Sequence, residues 1–171
     1  STAFSVQRSE EQYLRSIAGK TAALMSAACR IGGLVGGATA AQVSGLTAFG
    51  DAFGSTFQVY DDIADLVRTE EQLGKPAGHD MVEGVYTLPV LHALADREVG
   101  PELHDLLGGP IDGATRDKAL GLVRSTDGVA KAVACGRQLA DEAAAYLEPL
   151  PASPARQALA TLGHRLLDEV E

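Results

Sequence analysis

Three carboxylates fall within five residues at Asp61-Asp62-Ile63-Ala64-Asp65, inside a segment that is otherwise apolar and helix-patterned. Charges crowded in this way repel one another and lose hydration, so they persist where a cation neutralises them, and a hard divalent ion is the usual one. Mg²⁺ fits the pattern better than Ca²⁺. There is no twelve-residue, glycine-centred calcium loop, and Mg²⁺ characteristically takes one or two carboxylates and fills its shell with water and phosphate oxygens. A D-D-x-x-D sequence arises by chance in this composition with an expectation of roughly 0.4, which falls to roughly 0.02 once a glutamine is required at the offset of Gln58.

The neighbouring residues extend the chemistry. Phe57-Gln58 precedes the aspartates, Gly74-Lys75-Pro76-Ala77-Gly78-His79-Asp80 follows them, and Lys20-Thr21 lies at the foot of an earlier apolar stretch. On a helix, residues three and four apart share a face, so Gln58, Asp61 and Asp65 align while Asp62 stands about 100° round. If the two helices faced one another, a metal-bound polyanion could sit between the aspartates and Lys20, with Lys75 closing over it from the loop. A diphosphate suits such a site. Metal and lysines would stabilise it more strongly as it leaves carbon and gains charge, which is where catalysis requires the stronger interaction. An adjoining apolar cavity would hold the carbon chain, and the Gln58 amide oxygen could stabilise a carbocation without capturing it.

Helices must position these groups. Alanine and leucine dominate, tryptophan is absent and no convincing strand alternation occurs, so the expected fold is all-α, a bundle of roughly six to eight helices. A helical period runs from Glu10 through Tyr13, Ile17 and Leu24 to about Ile31, where the cluster Gly32-Gly33-Leu34-Val35-Gly36-Gly37 offers either a turn or a close helix approach. Ser44 is the expected N-cap of a long helix reaching about Thr69, whose Gly50 and Gly54 would admit a neighbouring helix or leave room for substrate. Residues 70–86 read as a long polar loop, and Thr87 as the N-cap of a helix opening with Pro89. Further helices are expected at about 100–107, 114–125 and 128–148. The last begins at Ser153-Pro154, with Leu159, Leu162, Leu166 and Val170 as its buried stripe.

Composition narrows the function. With 171 residues, 46% hydrophobic and 22% charged, the chain is an ordinary globular domain rather than a disordered one. A net charge of −9 with no basic stripe argues against nucleic acid as a partner. It also means that an anionic substrate would have to be held by metal and a few placed lysines. Cys29 and Cys135 read as buried thiols of a reducing cytosol rather than as a disulfide. No secretory signal or membrane-spanning run is apparent, so a cytoplasmic protein is expected. His79, His92, His104 and His164 lack metal-ligand spacing.

The ordered series Tyr13-x3-Ile17-x2-Lys20-Thr21, Phe57-Gln58-x2-Asp61-Asp62-x2-Asp65, Gly74-Lys75-Pro76-x-Gly78-x-Asp80 and Thr87-Leu88-Pro89 resembles the carboxy-terminal half of a trans-type polyprenyl diphosphate synthase. The resemblance runs from about residue 10 to the end of the chain. It implies a single helical domain over residues 1–171, the carboxy-terminal portion of the isoprenoid synthase fold. It further implies Mg²⁺-dependent condensation of isopentenyl diphosphate onto an allylic diphosphate, usually by a homodimer. Asp61, Asp62 and Asp65 would hold the metal, with Asp61 the leading ligand, and Lys20 and Lys75 would contact the allylic diphosphate. Thr21 and Gln58 would stabilise the cation, and the released diphosphate would serve as base.

Two departures stand out. Val85 occupies a position where many members carry lysine, and the family's first aspartate-rich motif has no counterpart here, so the chain is expected to be the carboxy-terminal part of a longer prenyl-elongating polypeptide, inactive by itself, and to form a homodimer or pair with a chain carrying the missing half. Two alternatives remain at this stage: a non-catalytic partner subunit of a heteromeric synthase, and a class I terpene cyclase. The Gln58 and Thr-Leu-Pro contexts favour elongation over cyclisation.

Overall fold

A computed structural model describes residues 4–170, and among them all regular structure is helical. The elements are α1 (Glu10–Ile17), a π-helical turn (Ala18–Ala22), α2 (Ala23–Val35), α3 (Ala40–Val67), α4 (Glu70–Leu73), α5 (His79–Val82), α6 (Leu88–Leu94), α7 (Gly100–Leu106), α8 (Gly113–Ser125), α9 (Gly128–Ala145) and α10 (Pro154–Leu167). The count exceeds the expected six to eight because residues 70–86 are not one open loop: they fold into the single turns α4 and α5. No described helix is long and apolar enough to cross a membrane.

Local chemistry explains most boundaries. The long helix α3 starts four residues before Ser44. Thr39 and Gln42 form a reciprocal box there, with Gln42 N–H donating to Thr39 Oγ1 at 3.3 Å and Thr39 N–H to Gln42 Oε1 at 2.9 Å. The same device at Thr69 and Gln72 starts α4, so α3 ends at Val67 and Thr69 opens the next helix instead of closing this one. The glycine cluster serves both of the roles left open by the sequence. Gly33 lies inside α2, where a Cβ would stand 3.0 Å from Leu46 Cδ1, and Gly37, at φ +70°, makes the turn. Thr87 does precede α6, but its side chain makes no capping hydrogen bond.

The chain divides into two compact units, with the division falling inside α3 between Tyr60 and Asp61. One unit comprises the start of the chain to Tyr13 and residues 61–133. In it α6 packs on α7 and α8 through buried Leu88, Val90, Leu103 and Val123. Arg124, near the end of α8, donates from Nε to the Leu66 carbonyl at 2.7 Å, satisfying an orphan acceptor at the carboxy end of α3.

The other unit comprises residues 14–60 and 134–169. Phe49, Ala52, Ala143 and Leu147 centre its core, and Phe49 and Phe53 stack at 5.7 Å. Ser153 caps α10 by accepting from Arg156 N–H at 3.1 Å. The expected stripe of the last helix holds in part: Val170 is buried and Leu159 packs against the Phe49 core, but Leu162 is 37% exposed. Gly163 and Leu167 also face inward, with Gly163 set against Ala140 in an approach that admits only glycine. Cys29 and Cys135 are half-buried rather than buried and form no disulfide.

Candidate active site

In the unit containing residues 61–133, the carboxyl end of α3 presents three aspartates in three environments. Asp61 is exposed. Asp62, 4% exposed, turns away from it and accepts a hydrogen bond from the Tyr13 hydroxyl at 2.6 Å. Asp65 is also 4% exposed although it shares Asp61's helical face, because the segment after α4 folds over it. Gly78 N–H donates to the Asp65 carbonyl at 2.9 Å, Asp80 N–H reaches Asp65 Oδ2 at 3.4 Å, and Lys75 Nζ stands 2.8 Å from Oδ1. Left-handed Gly74 (φ +68°) and Gly78 (φ +71°) permit the path that brings Lys75 there.

The electrostatics follow from these contacts. The Asp65 carboxylate raises the Lys75 ammonium above the usual lysine range against the opposing pull of burial, with Asp80 and Asp61 adding to it. Burial, and after it the Asp65 charge, pushes the Asp80 carboxyl up. Lys75 thus supplies the positive charge that a buried Asp65 demands.

Among the described residues no group of three His, Cys, Asp or Glu side chains converges as a ready metal cage. The donors nevertheless fit a partly protein-held cation. Asp65 Oδ1 is buried with the Lys75 ammonium 2.8 Å away, and Asp61 stands open on the adjoining turn of the same helix. That leaves a one- or two-carboxylate edge of the kind Mg²⁺ uses. Asp62, committed to Tyr13, is set apart from this edge.

In the unit containing residues 14–60, Lys20 and Thr21 lie in the π turn, where Ala23 N–H bonds to the Ala18 carbonyl and one residue is added to the helical cycle. Such turns recur at functional sites. Lys20 is exposed and makes no ion pair among the described residues. Thr21 Oγ1 donates to Gln58 Oε1 at 2.9 Å, so the two expected cation-stabilising groups are bonded to each other. Two glycines bring their helices together: a Cβ on Gly54 would meet Ala22 Cα at 2.5 Å, and one on Gly50 would meet Met25 O at 2.6 Å. The alternative of room left for substrate does not hold at these positions.

Sequence reasoning missed Tyr13 as the donor to Asp62, having placed it among apolar core residues, and no local signal marks that role. The π turn also carried none. The T-x-x-Q boxes at Thr39 and Thr69 were legible and overlooked. Val85 is exposed, and its backbone N–H donates to the Asp80 carbonyl at 2.8 Å.

A chain whose described regular structure is all helical, with an acidic helix face and a lysine brought back onto it, has the form of an isoprenoid synthase. In keeping with this, polyprenyl synthase from Caulobacter crescentus, solved in complex with calcium and isoprenyl diphosphate, superposes with a TM-score of 0.89 at 31% identity, over 97% of this chain and 52% of that one. Geranylgeranyl pyrophosphate synthase from Corynebacterium glutamicum does so with a TM-score of 0.85 at 36% identity, over 94% and 50%. The polyprenyl synthetase sequence pattern matches residues 1–120, and the chain belongs to that family. Nonaprenyl diphosphate synthase of Mycobacterium tuberculosis is 44% identical over 89% of this chain and 46% of its own length. Heptaprenyl diphosphate synthase component 2 of Geobacillus stearothermophilus is 41% identical over 88% and 47%. The chain therefore spans about half the length of these relatives.

Proposed function

We propose that this chain is the diphosphate-ionising part of a Mg²⁺-dependent polyprenyl diphosphate synthase. In this reading an allylic diphosphate ionises and isopentenyl diphosphate adds to it, giving a longer trans-polyprenyl diphosphate, in the cytoplasm. The observation that carries the reading is Lys75 held on Asp65 beside the open carboxylate of Asp61, on the helix whose preceding turn bears Gln58. Mg²⁺, when bound, supplies charge that favours departure of the diphosphate. Asp61 and Asp65 are the residues to hold it, and Asp62, fixed by Tyr13, shapes the field behind them. Lys20 and Lys75 bind the diphosphate oxygens. Thr21 orients the Gln58 amide, whose dipole stabilises the allylic cation at low reorganisation cost. The proton lost from the adduct passes to the released diphosphate.

The 171 residues contain one D-D-x-x-D sequence, so in the proposed scheme they form one part of the site and are inactive by themselves. The similarity to a protein named component 2 favours a second reading, in which the chain serves as a subunit of a heteromeric synthase.

The test supplies the complementary half and measures incorporation of labelled isopentenyl diphosphate. Asp61→Ala should lower turnover at least about 100-fold while leaving the helical signal unchanged, since Asp61 is exposed. Near-wild-type turnover would remove the metal assignment, and turnover by the intact chain alone would remove the need for a second half.

A further inference from the structure

Asp65 and Lys75 each have a ligand in the proposed scheme, a cation for the first and a diphosphate for the second, yet in the structure they hold one another. Lys75 Nζ stands 2.8 Å from Asp65 Oδ1, and the other oxygen, Oδ2, accepts from Asp80 N–H at 3.4 Å. Both oxygens of a carboxylate that is 4% exposed thus face protein donors. Asp61, in contrast, is exposed and makes no ion pair among the described residues. The backbone on either side of Lys75 is anchored: Gly74 N–H donates to the Glu70 carbonyl at 2.8 Å, and Gly78 N–H to the Asp65 carbonyl at 2.9 Å. The Lys75 side chain itself is 43% exposed. Its ammonium can therefore leave Asp65 by rotation of its own flexible stem while the loop stays in place.

We infer that Lys75 is a lock on Asp65: without a diphosphate its ammonium fills the place of a cation there, and a diphosphate opens the lock by drawing the ammonium onto its own oxygens. The inference rests on the proposed synthase function and adds to it an order of binding. Before the diphosphate arrives only Asp61 is open to a divalent ion, and one exposed carboxylate without phosphate oxygens holds Mg²⁺ weakly. An ammonium 2.8 Å from Oδ1 repels a second cation at that oxygen, so the two exclude each other. The exchange follows from charge. Asp65 offers Lys75 a single negative charge, whereas a diphosphate offers more than one and reaches the ammonium from its exposed side. Once Lys75 has turned away, Asp65 would be a buried carboxylate without its counter-charge, which is strongly destabilising, and it is then neutralised by the cation that accompanies the diphosphate. Lys75 thus couples the arrival of the two ligands and keeps a lone metal ion out of the buried position.

Mn²⁺ takes the same oxygen ligands as Mg²⁺, and its binding to the full chain is read from the electron paramagnetic resonance signal of the free ion. Lys75→Gln should tighten Mn²⁺ binding in the absence of diphosphate at least about fivefold, a magnitude already reduced for solvent screening of a part-exposed lysine. Lys75→Arg keeps the charge and should bind Mn²⁺ as the parent does. Lys118→Gln removes an equal charge from a lysine paired with Glu102 and should also leave Mn²⁺ binding at the parent level. The preformed equimolar Mn²⁺–diphosphate complex, titrated calorimetrically, should reverse the order and bind the parent more tightly than Lys75→Gln. A measurement independent of the lysine uses Asp61→Ala, an exposed change, which should weaken Mn²⁺ binding without diphosphate at least about tenfold because Asp65 is closed. Mn²⁺ binding retained by Asp61→Ala, unchanged or weakened in Lys75→Gln, or tightened equally by Lys118→Gln would overturn the lock and leave the proposed activity standing. A complex that binds neither protein, or binds Lys75→Gln as tightly as the parent, would overturn the opening by diphosphate. The expected pattern in a chain that gives no turnover with the complementary half would keep the lock and sink the proposed activity.

Discussion

Tyr13→Phe removes one oxygen atom and leaves the ring, including its contact beneath the Arg8 guanidinium at 5.3 Å. The lost interaction is a 2.6 Å hydrogen bond from a side chain 1% exposed to a carboxylate 4% exposed. A hydrogen bond to a charged group contributes about 1.5–3 kcal/mol. Because water reaches neither side, the expected loss lies in the upper part of that range, about 2–3 kcal/mol. For a chain of this size it corresponds to a Tm lower by about 4–12 °C. Urea denaturation followed by far-ultraviolet circular dichroism measures it at pH 7, and a double-mutant cycle with Asp62→Asn isolates the pair, with a coupling of about 1.5 kcal/mol or more. A loss below about 0.5 kcal/mol, or additive effects in the cycle, would refute the claim that Tyr13 anchors Asp62.

Other expectations follow from single contacts. Gly54→Ala should destabilise despite gaining about 1 kcal/mol of helix propensity, because its Cβ would meet Ala22 Cα at 2.5 Å. Overpacking of this kind costs about 1–3 kcal/mol, and a more stable variant in urea would show that the π turn yields easily. Asp80 has a folded-state pKa raised above its ordinary value, chiefly by burial and then by Asp65. The raised value favours folding while Asp80 is protonated, and that contribution is lost as pH rises through the folded pKa. Asp80→Asn should accordingly stabilise the chain at pH 7, and the gain should shrink as the pH is lowered toward the ordinary aspartate value of 3.8. An equal gain at pH 7 and pH 3.5 would contradict the electrostatic cause.

How far the sequence reached can be judged from particular residues. Alanine-rich stretches at 3.6-residue spacing were enough to predict an all-α chain and to set Gln58, Asp61 and Asp65 on one face of one helix. These are properties of the local backbone period, available without knowledge of any distant residue. The capping of α3 by Thr39 belongs to the same local class. The inward line of α10 does not, because Gly163 faces inward only where Ala140 leaves no room for a side chain.

The tertiary structure decided how the three aspartates differ. Identical side chains within five residues became an exposed carboxylate, one bonded to Tyr13 and one covered by the loop that carries Lys75. It likewise decided that Thr21 and Gln58 bond to each other. Periodicity assigns a residue to a face of its own helix. Which partner meets that face depends on groups far away in sequence, and those contacts set the charge, the burial and hence the chemistry of each side chain.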